Sequence, residues 1–141
     1  LWVNEALVRR GAARVRMYPD TSGAGAALFA AEDAAREETL GLWALKAYQP
    51  VEAGRVPHDA RGFILVTGVL GGQKDVRSDR DATAACLRGL QGASLIVRIE
   101  RTAAELCEVP AGGEVELRGW VSGGEIEINH PLHLRRTGGP D

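Results

Sequence analysis

The first forty positions carry two helical patterns separated by a short alternating one. Val3 and Val8 stand where a hydrophobic staple would clamp the start of a short helix. Asn4 is a good N-cap there, because its side-chain oxygen can accept from the free amides of the first turn. Gly11 supplies the left-handed residue that would end this helix. From Ala13 the period changes to two, with Ala13, Val15 and Met17 on one face and Arg14 and Arg16 on the other, which predicts a strand. Tyr18-Pro19-Asp20-Thr21-Ser22-Gly23 is a loop by composition. From about Ala26 to Leu40 a second helix is predicted: Leu28, Ala31, Ala35 and Leu42 recur near helical spacing, and Gly41 marks the stop.

Periodicity then breaks at Gln49-Pro50, Glu52-Ala53-Gly54 and Val56-Pro57-His58-Asp59, so a linker is placed at 49–61 between a unit at 1–48 and a second one at 62–136. The second unit reads differently. Phe63 to Leu70 is a strand rich in β-branched residues, and Ser94 to Glu100 alternates with Leu95, Val97 and Ile99 inward. Thr102 to Cys107 has the content of a short helix. Glu114 to Val121 alternates again, turns through Ser122-Gly123-Gly124 and returns as Glu125 to Asn129, which is a hairpin by pattern and by turn chemistry. The segment 79–92 reads as a strand or a helix, and propensity favours helix. Strand, ill-defined segment, strand, short helix, hairpin is the element order of an OB-fold, a small Greek-key barrel.

The opening residues carry more than periodicity. Val3-Asn4-Glu5-Ala6-Leu7-Val8-Arg9-Arg10-Gly11-Ala12-Ala13-Arg14-Val15 resembles the "V-N-x-x-L-V-x-x-G-x-A-x-V" run that closes the barrel of the staphylococcal (thermonuclease) nuclease family. Ala31-Glu32-Asp33-Ala34-Ala35-Arg36, followed by Gly41-Leu42-Trp43, resembles the family's later "A-E-x-x-A-R-x-x-x-x-G-L-W" helix. Residues 115–131, "V-E-L-R-G-W-V … I-E-I-N-H-P", resemble a β-domain appended to some bacterial thermonuclease-like proteins. Those modules also carry a "Y-L-N-F-G" strand where this chain has Ala84-Ala85-Cys86-Leu87-Arg88-Gly89.

The resemblance implies an α+β fold class: the C-terminal helical remnant of a staphylococcal-nuclease OB-fold domain plus a small OB-like β-barrel. It implies a parent protein that hydrolyses DNA or RNA phosphodiesters with calcium. The family's calcium-binding aspartates, its glutamate and its two catalytic arginines precede the matched segment. The chain is therefore expected to be a fragment without catalytic residues and without a metal site of its own. A unit of about forty residues cannot bury a sufficient core alone, and in the family its partner is the preceding five-stranded barrel. A degenerate protein whose helices pack on its own second domain is the alternative. Relatives of this kind are usually bacterial and secreted, which suggests a secreted or periplasmic location.

Composition narrows the picture only a little. The chain has 141 residues, 45% of them hydrophobic, and a net charge of −2, which disfavours a strongly basic nucleic-acid binder but leaves room for a local basic face. No apolar run reaches the length of a membrane span, so no membrane is expected as a partner. The oligomeric state is not legible. Cys86 and Cys107 are the two cysteines. They are either two small buried residues or a disulfide, whose loop of about twenty residues would be worth about 3 kcal/mol.

The candidate chemistry is sparse. Arg9, Arg10, Arg14 and Arg16 form the one basic cluster, and Arg14 and Arg16 share a face from which they could meet phosphates. Tyr18 sits near where the resemblance places tyrosines that line a nucleotide pocket, and a stacked ring contributes about 1–3 kcal/mol per base. Arg14, Arg16 and Tyr18 are therefore the candidate nucleic-acid contacts. His130 and His133 lack the further ligands that zinc requires and read as a turn fixed by Pro131. Glu116, Glu125 and Glu127 read as a solvated face. Trp120 falls on an outer face, where an exposed indole would mark a contact surface. A non-catalytic OB-type module binding nucleic acid or another ligand, and a structural accessory domain, are the competing readings.

Overall fold

The computed structural model describes residues 3–17, 25–74 and 84–137. It divides into two compact units, Leu1–Gln49 and Pro50–Asp141. Among the described residues no helix is long and apolar enough to cross a membrane.

In the first unit, helix α1 (Val3–Arg9) packs against helix α2 (Gly25–Glu37). Helix α1 begins at Val3, so Asn4 lies inside the first turn and is not the N-cap that its side chain suggested. Its other end follows the sequence: Gly11 has φ +77°, Ala12 N–H donates to Leu7 C=O at 3.0 Å, and Gly11 N–H donates to Val8 C=O at 3.0 Å. Those two bonds form a Schellman motif and satisfy carbonyls the helix leaves open. Helix α2 closes in the same way through Thr39 at φ 53°, with Leu40 N–H on Ala35 C=O at 3.0 Å and Thr39 N–H on Arg36 C=O at 3.1 Å. A β-branched residue in the left-handed region is strained.

Gly41 therefore has another task than stopping the helix. Leu42 N–H donates to Gly11 C=O at 2.8 Å, and a Cβ on Gly41 would sit 2.3 Å from that same oxygen. A Cβ on Gly11 would sit 2.1 Å from the Leu40 oxygen. The two glycines lock the ends of the helices together because only hydrogen fits between the backbones. On α2 the buried residues include Phe29, Ala31, Glu32 and Ala35, while Leu28 is only half-buried. Two 3-10 turns follow, Gly41–Ala44 with buried Trp43 and Lys46–Tyr48.

The strand expected at 13–17 is not in any sheet ladder, although its burial alternates, with Val15 and Met17 buried and Arg16 exposed. Its central amide finds a side chain: Val15 N–H donates to Glu32 Oε1 at 2.8 Å, in a fully buried setting. A buried amide must be paired. Here a carboxylate from the second matched motif satisfies it.

The second unit is built on seven strands: β1 (Val51–Glu52), β2 (Gly62–Lys74), β3 (Ala84–Leu90), β4 (Ile96–Glu100), β5 (Glu114–Ser122), β6 (Glu125–Ile128) and β7 (Leu134–Arg136). Strand β2 pairs β3, β3 pairs β4, β4 runs parallel to β6, β6 pairs β5, and β5 returns to β2, from Gly62 opposite Val121 to Val69 opposite Glu114. Five strands thus close on themselves in the OB order, with the 3-10 segment Arg101–Glu108 where that fold places its helix. Strand β2 serves two neighbours because its register shifts between Leu70 and Gln73, at Gly71-Gly72, and a bulge bends a strand from one partner to the next. A Cβ on Gly71 would lie 3.0 Å from the Gly89 oxygen, so the bend also brings two backbones close. The hairpin turn is Gly123-Gly124, at φ +58° and +78°, as a two-residue type I′ turn requires.

The core is the inward set predicted by alternation, including Val97, Ile99, Leu117, Val121, Ile126 and Ile128. Segment 84–90 is a strand, against the helical leaning of its alanines. Pairing with β4 and burial of Cys86, Leu87 and Leu90 outweigh propensity, which is the weaker term in tertiary context. The stretch 49–61 carries β1, which runs parallel to β2 with Val51 opposite Val66, and Ala53 joins the barrel core.

A disulfide links Cys86 on β3 to Cys107 in the 3-10 segment. Arg88 reinforces the same junction. Its Nη1 donates to Leu106 C=O at 3.1 Å and its Nη2 to Gly71 C=O at 2.7 Å, while Gln73 Nε2 reaches Cys107 C=O at 2.9 Å. Burial draws the Arg88 guanidinium below its ordinary pKa, and the Glu108 carboxylate opposes that shift.

Candidate nucleic-acid interface

Phosphate recognition needs cations that reach solvent, and base recognition needs an accessible ring or donor set. In the first unit these come from two short segments. Arg14 and Arg16 flank the Glu32-bound amide of Val15, Arg14 half-buried and Arg16 exposed. The Arg14 guanidinium carbon lies 5.3 Å from the centroid of the Tyr48 ring, inside the range of a cation–π contact. Tyr48 is 37% exposed. Arg36 stacks likewise over Trp43 at 4.9 Å, but that indole is buried and serves as an anchor. Arg9 forms an ion pair with Glu38 that ties α1 to the end of α2. Tyr18, the third residue expected at a nucleotide site, lies outside the described residues. The aromatic that joins Arg14 is Tyr48, which the sequence pattern did not single out.

The barrel presents a different surface. An OB-fold commonly holds oligonucleotides on the face of its second and third strands, flanked by the loops between strands one and two and between four and five. Here the third strand, β4, turns out Arg98 and Glu100, which pair with each other at 2.9 Å. The adjoining β6 turns out Glu125 and Glu127, and a shallow depression is lined by Arg98, Ser122, Gly123, Glu125 and Glu127. Three carboxylates around one guanidinium repel a phosphate backbone. The loop between strands four and five is the two-residue glycine turn, too short to wrap a ligand. Trp120 is 43% exposed, directly opposite Glu127 in the ladder.

The other polar groups of the barrel are structural. Glu116 is not on a solvated face, as its place in the alternation suggested: it is buried and paired with Arg118 at 3.2 Å. His130 Nδ1 accepts from Leu132 N–H at 3.1 Å and caps the 3-10 turn Pro131–His133, with the two imidazoles 5.8 Å apart. A groove of about 510 Å³ at one end of the barrel is lined by residues such as Glu52, Thr67, Gln91, Glu114 and Thr137, with neither ring nor guanidinium to hold a nucleotide.

Calcium takes six to eight oxygen ligands, mostly carboxylates. Among the described residues no three His, Cys, Asp or Glu side chains converge as a metal site.

Residues 2–45 match the sequence model described as "Staphylococcal nuclease homologue". The first unit is staphylococcal nuclease-like. None of the curated proteins compared with the chain matches it. The nuclease-like match spans both helices, Gly11 and Gly41 of the backbone lock, and the Val15 and Glu32 pair. It ends at residue 45, before Tyr48 and before the whole of the barrel.

Proposed function

We propose that residues 2–45 act as the closing helical part of a thermonuclease-type domain that hydrolyses nucleic-acid phosphodiesters with calcium. The 141-residue chain does not itself catalyse, and its OB barrel is a structural accessory. The observation that carries this reading is the coincidence of the family match with the residues that lock the two helices. A segment selected to close a domain keeps those backbone contacts, and phosphodiester chemistry needs in addition the carboxylates and arginines that the family places ahead of it. The acid-rich outer face of β4 and β6 supports a structural rather than a nucleic-acid-binding role for the barrel.

The test is direct. The purified chain is incubated with labelled single- and double-stranded oligonucleotides across a calcium titration. The expected result is no cleavage above buffer at any calcium concentration. Cleavage that depends on calcium and stops with chelator contradicts the assignment of this chain as non-catalytic.

A further inference from the structure

We propose that Tyr48, with the Arg14 guanidinium in cation–π range of its ring, is a gripping platform for single-stranded nucleic acid, with a base against Tyr48 and phosphates on Arg14 and Arg16. It rests on the reading of the first unit as part of a nuclease and adds a contact beyond the family match, which ends at residue 45.

Both halves of the platform are anchored. The Arg14–Arg16 backbone is held at its centre by the Val15 amide on Glu32 of α2, at 2.8 Å. Tyr48 stands in the 3-10 turn Lys46–Tyr48, where its N–H donates to Leu45 C=O at 3.1 Å. The next residue, Gln49, donates its side-chain amide to the carbonyl of buried Trp43. The turn that carries Tyr48 is thus tied to the unit's aromatic anchor, and Tyr48 keeps 37% of its surface exposed.

The chemistry follows from how these groups meet. The Arg14 guanidinium carbon lies 5.3 Å from the Tyr48 centroid, and a guanidinium carries five N–H groups, of which two can meet phosphate oxygens together. Arg16, two positions on and exposed, adds a second cation to the same segment. Lys46 and Leu45 are exposed beside Tyr48, adding one more cation and an apolar flank for a base. A duplex keeps its bases stacked on each other, so a ring platform favours single strands.

The experiment is fluorescence anisotropy of a labelled single-stranded DNA, and of the matching duplex, with the full chain at low salt and with chelator present. We expect the single strand to bind more tightly than the duplex. Tyr48→Ala should weaken single-strand binding about tenfold, whereas Tyr48→Phe should stay within about twofold of the unaltered chain. Arg14→Lys keeps the charge and loses the planar stack, so it should weaken binding several-fold without changing the salt slope. Arg16→Ala should lower that slope by about one. Tyr48→Ala binding like the unaltered chain, Arg14→Lys binding unchanged, or no single-strand binding at low salt would each overturn the platform. Failure here leaves the calcium-titration result untouched, and cleavage in that assay leaves the platform untouched, so the two readings fail separately.

Discussion

The two units of this chain are ordered by opposite means. The helical unit depends on a few specific contacts: two facing glycines, one carboxylate on one amide, and two left-handed helix ends. The barrel depends on many interchangeable ones, a ladder closed through five strands and a core shared among more than a dozen buried side chains. Loss of one member of the first set removes something nothing else supplies. Loss of one member of the second is spread over its neighbours. The contrast extends to chemistry. Arg14, Arg16 and Tyr48 are in the helical unit, while the outer sides of β4 and β6 carry Glu100, Glu125 and Glu127 around Arg98.

The sharpest way to break this comparison is Gly41→Ala. Its Cβ would fall 2.3 Å from the Gly11 oxygen at a positive φ, so a loss of about 3–4 kcal/mol is expected, confined to the helical signal in circular dichroism and hydrogen exchange. Barrel amides should keep their protection, and equal loss in both units would show that the lock is not local. Replacing both cysteines with serine removes a covalent tie across the barrel. A cost of about 3 kcal/mol in urea unfolding is expected, with the strands still formed because Arg88 and Gln73 hold the same 3-10 segment.

Glu32→Ala orphans the Val15 amide and should cost about 2 kcal/mol, whereas Glu32→Gln keeps an acceptor and should cost less than about 1 kcal/mol. Equal melting temperatures for the two variants would show that the carboxylate oxygen is not what positions Arg14 and Arg16. The smallest effect has the opposite sign. Thr39→Gly relieves a β-branched residue at φ 53° and should stabilise by about 0.5–1 kcal/mol, read as a small rise in melting temperature.

Much of the architecture was legible because side-chain period reports which face is wet. Alternation found β4, β5 and β6, Gly123-Gly124 marked the hairpin turn, and Gly11 marked the end of α1. Period is silent where an element is defined by its partner. Strand β3 has no β-branched residue and is a strand because β4 pairs it. Strands β1 and β7 are too short to show a pattern. Glu116 shows a second limit: alternation names the side of the sheet, not whether that side is wet, and Glu116 is buried with Arg118.

The candidate interface was half legible. The spacing singled out Arg14 and Arg16, but Tyr48 is distant in sequence and only its contact with Arg14 reveals it. Gly41 illustrates a correct residue with the wrong reason, since close backbone approach, rather than helix termination, forbids a side chain there.

The most direct test maps where nucleic acid touches the chain. In a two-dimensional NMR titration of the isotope-labelled protein with a short single-stranded DNA at low salt, the account predicts amide shifts concentrated at residues 13–17 and 45–49. Little change should occur on β4 and β6. Shifts that instead cluster around Arg98, Glu125, Glu127 and Trp120 would contradict it, placing recognition on the barrel and not on the nuclease-like unit.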